Sequence, residues 1–187
     1  MNRRRAIKVW LSSFAFLAIA AWPQAQSPQA IFEQPALITS AGQSADVQLA
    51  SVLAKRAELK ANLSKLAVGQ DLENHKTLML VLGASLKGLG AAGLDTNKER
   101  ERIAQLLVEA KKRNIPILCL HLGGDARRGQ LTDEMISDYL PFAKLAIVVK
   151  SGNKDGLFTK ICKEKNIPLV EVEKTTDIVG PLKAAFR

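Results

Sequence analysis

Residues 78–82, Leu-Met-Leu-Val-Leu, are five consecutive apolar side chains that break at Gly83 into a segment holding Ser85, Lys87, Gly88, Gly90 and Gly93. Successive side chains of a strand point to opposite faces, so an unbroken apolar run predicts a strand covered on both sides, as parallel strands are. The glycines that follow permit a backbone course and a close approach that Cβ atoms forbid, and Thr96 with Glu99 reads as the capping box of a following helix. Strand, loop and helix form one unit. A loop at the carboxyl end of a parallel strand is where α/β domains bind their ligands.

The pattern recurs along the chain. Ala36–Thr39, Ile115–His121, Leu145–Lys150 and Ile167–Val172 read as further strands, the last nearer an edge because Glu171 and Glu173 alternate with Val170 and Val172. Helices are expected over Ala45–Lys60, with Leu49, Val52 and Leu53 as the inward stripe, and over Thr96–Arg113, with Ile103, Leu106, Leu107 and Ala110. Others are expected near Thr132–Tyr139, Gly156–Lys165 and Thr175–Phe186, the last interrupted or restarted at Gly180-Pro181. Ala61–Leu72 reads either as a short strand or as an irregular crossing. One junction occurs twice, Lys111-Lys112-Arg113-Asn114-Ile115-Pro116 and Lys163-Glu164-Lys165-Asn166-Ile167-Pro168. In it cations complement the negative end of a helix, Asn tolerates a left-handed exit, and Pro opens a strand. Strand and helix in alternation predict an α/β fold: a single doubly wound, Rossmann-like or flavodoxin-like three-layer sandwich on a mostly parallel sheet of five or six strands.

The amino terminus stands apart. Arg3, Arg4, Arg5 and Lys8 precede an apolar run from Val9 to Trp22, too short to span a bilayer comfortably and followed by small residues suited to cleavage. Residues 1–25 therefore read as a signal peptide, 26–34 as a flexible arm and 35–187 as one domain, exported to the periplasm or beyond, with no integral membrane span after cleavage. Removal of the signal takes four of the 27 Lys and Arg residues and none of the 18 Asp and Glu, so the formal charge of +9 falls to +5. With aromatic residues at only 5% and no recognition motif, nucleic acid is excluded as the expected partner. Cys119 and Cys162 are too few for a disulfide scaffold; they read as two buried thiols, or as one disulfide if the helix carrying Cys162 packs over the strand carrying Cys119. No His or Cys spacing suits a metal, and no cofactor is indicated.

In a parallel sheet the loops after the strands converge, which gathers Thr39, Ser40, Gly42, Gln43 and Ser44 with Gly83, Ser85 and Lys87, with His121, Gly123 and Arg127, and with Ser151, Asn153 and Lys154. Hydroxyls, free N–H groups and the cations Lys87, Arg127, Arg128 and Lys154 favour a small polar or anionic molecule, although Asp46, Asp125 and Asp155 would repel an anion at close range. Gly88-Leu89-Gly90-Ala91-Ala92-Gly93 fits a dinucleotide fingerprint by letter but begins too far beyond the strand. The alternatives are a hydrolase with His121 as catalytic base and a module that engages an envelope protein.

The segments PALITSAGQSADVQ, VLGASLKGLGAAGLDT, NIPILCLHLGG, GQLTDEMI and VVKSGNKDGLF resemble a family of short, uncharacterised bacterial proteins with export signals. The resemblance spans nearly all of the chain after the signal. It implies an exported bacterial domain and carries no catalytic residue with it.

Overall fold

The computed structural model describes residues 30–187, and the expected signal peptide lies outside them. Six strands, β1 (Ala36–Ala41), β2 (Ala61–Leu63), β3 (Thr77–Leu82), β4 (Ile117–His121), β5 (Leu145–Val149) and β6 (Leu169–Val172), form one sheet in the order β2-β1-β3-β4-β5-β6. Every pairing is parallel. The first five strands follow the flavodoxin-type doubly wound order. β1 and β3 to β5 are buried along their whole length, which is why they read as continuous apolar runs, whereas β6 lies at an edge with Glu171 exposed.

Six helices cover the sheet: α1 (Asp46–Arg56), α2 (Leu86–Ala91), α3 (Thr96–Lys112), α4 (Gln130–Tyr139), α5 (Leu157–Lys165) and α6 (Val179–Ala185). Val47, Ala50 and Leu53 of α1 and Leu182 of α6 pack with Ile38, Met79 and Leu120 on one face. Ile103 of α3, Met135 of α4 and Phe158 of α5 pack with Leu80, Leu82 and Val148 on the other. Alternation along each strand divides the two cores, completing three layers.

Four local expectations are corrected. The inward stripe of α1 is Val47, Ala50, Leu53 and Ala54, while Leu49 and Val52 face outward; small alanines let this helix lie close to the sheet. The cap of α3 is Asp95, whose carboxylate accepts the Lys98 N–H at 2.8 Å, and Glu99 turns into the interior instead of closing a capping box. The glycine-rich segment after β3 holds the short helix α2, capped by the Ser85 hydroxyl. Of the expected arm, residues 30–34 are described, and Phe32 within it is fully buried against Phe186, with ring centroids 5.5 Å apart.

Both copies of the repeated junction adopt one conformation. Asn114 has φ 56° and Asn166 has φ 54°, and the next amide reaches back into the helix, Ile115 N–H to Ala110 O and Ile167 N–H to Cys162 O, each at 2.8 Å. Gly180 and Pro181 fall in the first turn of α6, where the missing proline N–H has no helical partner to lose, so the chain restarts there. Ala61–Leu72 resolves into β2 followed by a 3₁₀ turn at Gly69–Leu72. Cys119 and Cys162 are buried free thiols; burial pushes the Cys119 thiol far above its usual range and that of Cys162 up to about 11.

Candidate functional site

β1 and β3 are the neighbours whose following helices leave on opposite faces, and in such a sheet the crevice opens at the carboxyl ends of that pair. The two loops are zipped together past the strand ends: Ser44 N–H donates to Gly83 O at 3.2 Å, Ser85 N–H to Gly42 O at 2.8 Å, and Gln43 bridges Ala84. The approach is close enough to require glycine. A Cβ on Gly42, which has φ 104°, would lie 2.7 Å from both Ala84 Cα and Gly83 O.

Behind these loops lies a buried ion pair that the spacing of residues did not reveal. Glu99 is wholly inaccessible, and Arg102 donates to it from Nε at 2.9 Å and from Nη2 at 2.8 Å. Glu99 Oε1 also accepts the Gly42 N–H at 2.8 Å and Gln43 Nε2 at 3.1 Å. The same guanidinium donates to Ser40 O at 2.6 Å and Ala67 O at 2.8 Å. One side-chain pair thus fixes the left-handed turn at Gly42 and Gln43 to α3 and to the segment after β2. The only hint in the sequence was an acid and a base three apart on α3, a pattern shared by many solvated helix faces.

Of the expected site residues, Gln43, Ser44, Ser85 and Lys87 line one groove of about 480 Å³, joined by Lys65, Gly88 and the apolar Ala45, Leu66, Ala91 and Ala92. Lys65 is new to the set; its carbonyl accepts from Thr39 Oγ1 and Gln43 Nε2, each at 3.1 Å, which holds it on the rim. Neither Lys65 nor Lys87 makes an ion pair among the described residues, and no carboxylate lines the groove.

The other candidates do not join them. Arg127 Nε is 3.2 Å from Asp46 Oδ2, and Lys154 Nζ is 2.8 Å from Asp125 Oδ2, so both expected anion ligands already hold carboxylates. Arg128, another of the expected cations, holds Asp133 and Asp155 and draws the Asp155 carboxyl down to about 2. Asp46, Asp125 and Asp155, expected to repel an anion, are therefore neutralised by Arg127, Lys154 and Arg128, the cations expected to attract one. Arg127 lines a separate recess of about 230 Å³ on the far side of the β3 loop. Asn153 caps α5, accepting the Phe158 N–H at 2.9 Å and donating to Thr159 Oγ1 and Glu171 Oε1. Thr39 and Ser40 are buried, Gly83 packs under the Arg127 stem, Gly123 packs against Asp46 and Arg127, and the Ser151 hydroxyl accepts the Asp125 N–H at 3.4 Å.

His121 is also enclosed. Its Nδ1 lies 2.9 Å from Leu82 O and its Nε2 3.0 Å from Gly124 O, and the ring packs on Phe158 with centroids 5.2 Å apart. Burial pushes its pKa below the usual histidine range despite the two carbonyls, which favour the charged ring. Both ring nitrogens face acceptors rather than a hydroxyl, so the expected base has no proton donor within reach. His75 stands at the other end of the sheet, against Asp71 O and Asn62 Nδ2. Among the described residues no group of three or more His, Cys, Asp and Glu is placed to hold a metal ion, and no helix is long and apolar enough to cross a membrane.

No curated protein matches the chain. Solved structures similar to it include a protein ascribed to the lipolytic G-D-S-L family from Desulfitobacterium hafniense DCB-2, 14% identical over 73% of this chain and 75% of that one, with a TM-score of 0.33. Another is AlinE4, described as an SGNH-hydrolase family esterase, 12% identical over 77% of each chain with a TM-score of 0.28. Similarity at this level carries neither an activity nor a site residue to this chain. The family model is decisive where these are not: matching residues 33–186, it shows that the chain belongs to the family described as Domain of unknown function (DUF6305).

Proposed function

We propose that this exported domain binds a small anionic molecule with an apolar portion in the groove between the β1 and β3 loops. One observation carries the reading: at the topological switch point stand two ammonium groups, Lys65 and Lys87, with no ion-pair partner among the described residues, and the half-buried hydroxyl of Ser85, with no carboxylate among the lining residues. Ser85 Oγ accepts the Gly88 N–H and keeps its proton for a ligand, whereas Ser44 Oγ, which accepts the Asp46 N–H, belongs to a buried residue. Ala45, Leu66, Ala91 and Ala92 supply a wall for the apolar part. Hydrolysis with His121 as base is less well supported, because both ring nitrogens face buried carbonyls.

A panel of small carboxylates and phosphate esters, screened by native mass spectrometry and titrated by calorimetry, tests the reading. Lys65→Ala and Lys87→Ala should each weaken a bound anion by about 1.5–3 kcal/mol, the worth of a charged hydrogen bond, while Arg127→Ala leaves affinity unchanged. Unchanged affinity in the double lysine variant, or loss with Arg127→Ala alone, overturns it. Export is part of the reading: a mature amino terminus near Gln26 in the envelope fraction supports it, and a full-length cytosolic product argues against it.

A further inference from the structure

The end of the sheet opposite the groove carries a different kind of surface. Lys60, Lys76 and Lys144 each stand immediately before a strand, β2, β3 and β5, all three exposed. Lys111 and Lys165 stand in the last turns of α3 and α5. None of the five makes an ion pair among the described residues; at the groove end Lys65 and Lys87 are likewise free, but Arg127, Arg128, Lys150 and Lys154 each hold a carboxylate. Helix dipoles explain cations in last turns, but not the three that precede strands. Glu33, Glu58 and Glu109 at this end are already taken by Arg187, Lys183 and Arg113, which leaves Asp71, Glu73 and Glu164 as partial compensation.

An apolar element lies among these cations. Phe142 is 51% exposed, and it shares a groove of about 470 Å³ with Lys111, Lys144, Leu107, Ile115 and Pro116. An aromatic ring flanked by lysines suits the boundary between headgroups and acyl chains, where stems lie along apolar surface and ammonium groups reach phosphate. Charge complementarity indicates what meets this end: free ammonium groups around an exposed aromatic ring match a surface that is anionic outside and apolar just beneath.

We propose that this end of the domain docks on an anionic phospholipid bilayer, with Phe142 seated in the interface between Lys111 and Lys144, so that the groove between the β1 and β3 loops faces away from the membrane. A nucleic acid would meet the same charge, but Phe142 alone gives little for bases to stack on.

Cosedimentation of residues 26–187, the chain after the expected cleavage, with vesicles of phosphatidylglycerol and phosphatidylcholine, compared with phosphatidylcholine alone, tests the proposal. Lys76→Glu/Lys111→Glu/Lys144→Glu should lose at least tenfold of the excess binding to anionic vesicles, and Lys98→Glu/Lys160→Glu/Lys174→Glu, with the same change in net charge, should keep it. Footprinting of wild-type protein by amine acylation needs no variant to fold: anionic vesicles should protect Lys111 and Lys144 and leave Lys98 and Lys174 reactive. Equal loss in both triple variants, no loss in either, or protection of the groove lysines instead would overturn the proposal. So would binding of an oligonucleotide, without vesicle binding, that the first triple variant abolishes.

Discussion

Glu99 Oε1 lies 2.8 Å from the backbone nitrogen of Gly42, across 57 residues of sequence, and both groups are buried. The contact ties the first strand's loop to the helix that follows the third strand. Without it the left-handed pair at Gly42 and Gln43 would have no carboxylate acceptor, and the wall of the groove would lose its anchor.

Removal of that carboxylate should be costly in a specific way. Glu99→Ala leaves the Arg102 guanidinium buried without its partner, so urea unfolding should show a loss of about 3–5 kcal/mol. Glu99→Leu combined with Arg102→Met should recover only part of it, because it removes both charges but leaves the Gly42 N–H, the Gln43 amide and the Ser40 and Ala67 carbonyls without these partners. A double-mutant cycle measures the coupling, and additive losses would mean that the pair does not act as a unit.

Two glycines of α2 separate packing from propensity. A Cβ on Gly88 would lie 2.0 Å from Gln43 O, whereas nothing lies within 4 Å of one on Gly90. Gly88→Ala should therefore destabilise the domain and open the β1–β3 junction, and Gly90→Ala should stabilise it by up to about 1 kcal/mol through helix propensity. Thermal unfolding of the two variants checks both signs.

Layers, parallel sheet and repeated junctions were legible because each is written locally: an apolar run for a buried strand, cations with Asn and Pro for a helix exit. The groove was legible in part. Gln43, Ser44, Ser85 and Lys87 follow their strands directly, so the convergence of loops brings them together. Lys65 follows β2, a three-residue strand with no clear pattern of its own. Arg127, Lys154 and Asp46 were visible as charges, but their pairing depends on distances between loops that no spacing encodes. Glu99 was misread for a physical reason. An acid at the third position of a helix is the usual mark of a capping box, and only the tertiary fold shows it turned inward to a buried arginine.

Ser40 gives the smallest expected change and a sharp sign. Its Oγ is buried without a hydrogen-bond partner, although its carbonyl is held by Arg102. A buried hydroxyl without a partner carries its desolvation cost uncompensated, so Ser40→Ala should leave stability unchanged or raise it by about 1 kcal/mol. A loss above that size in urea unfolding would mean that the hydroxyl is satisfied in solution.

His121 sets the pH response. Its folded-state pKa lies below the unfolded value of about 6.5, with burial as the main cause, so between the two values the unfolded chain binds the proton and the folded chain does not. Stability from this group is complete above about pH 6.5 and is lost as pH falls toward the folded pKa, with a slope of at most about 1.4 kcal/mol per pH unit. The carboxyls held low by Arg128, Lys154 and Lys183, those of Asp155, Asp125 and Glu58, add their losses only at lower pH, below the ordinary carboxylate range. Urea unfolding of wild type and His121→Gln at pH 7 and pH 5 separates the two regimes. Wild type should weaken over that interval and the variant should be flat, even if it starts less stable; parallel slopes would show that His121 is not the group that titrates.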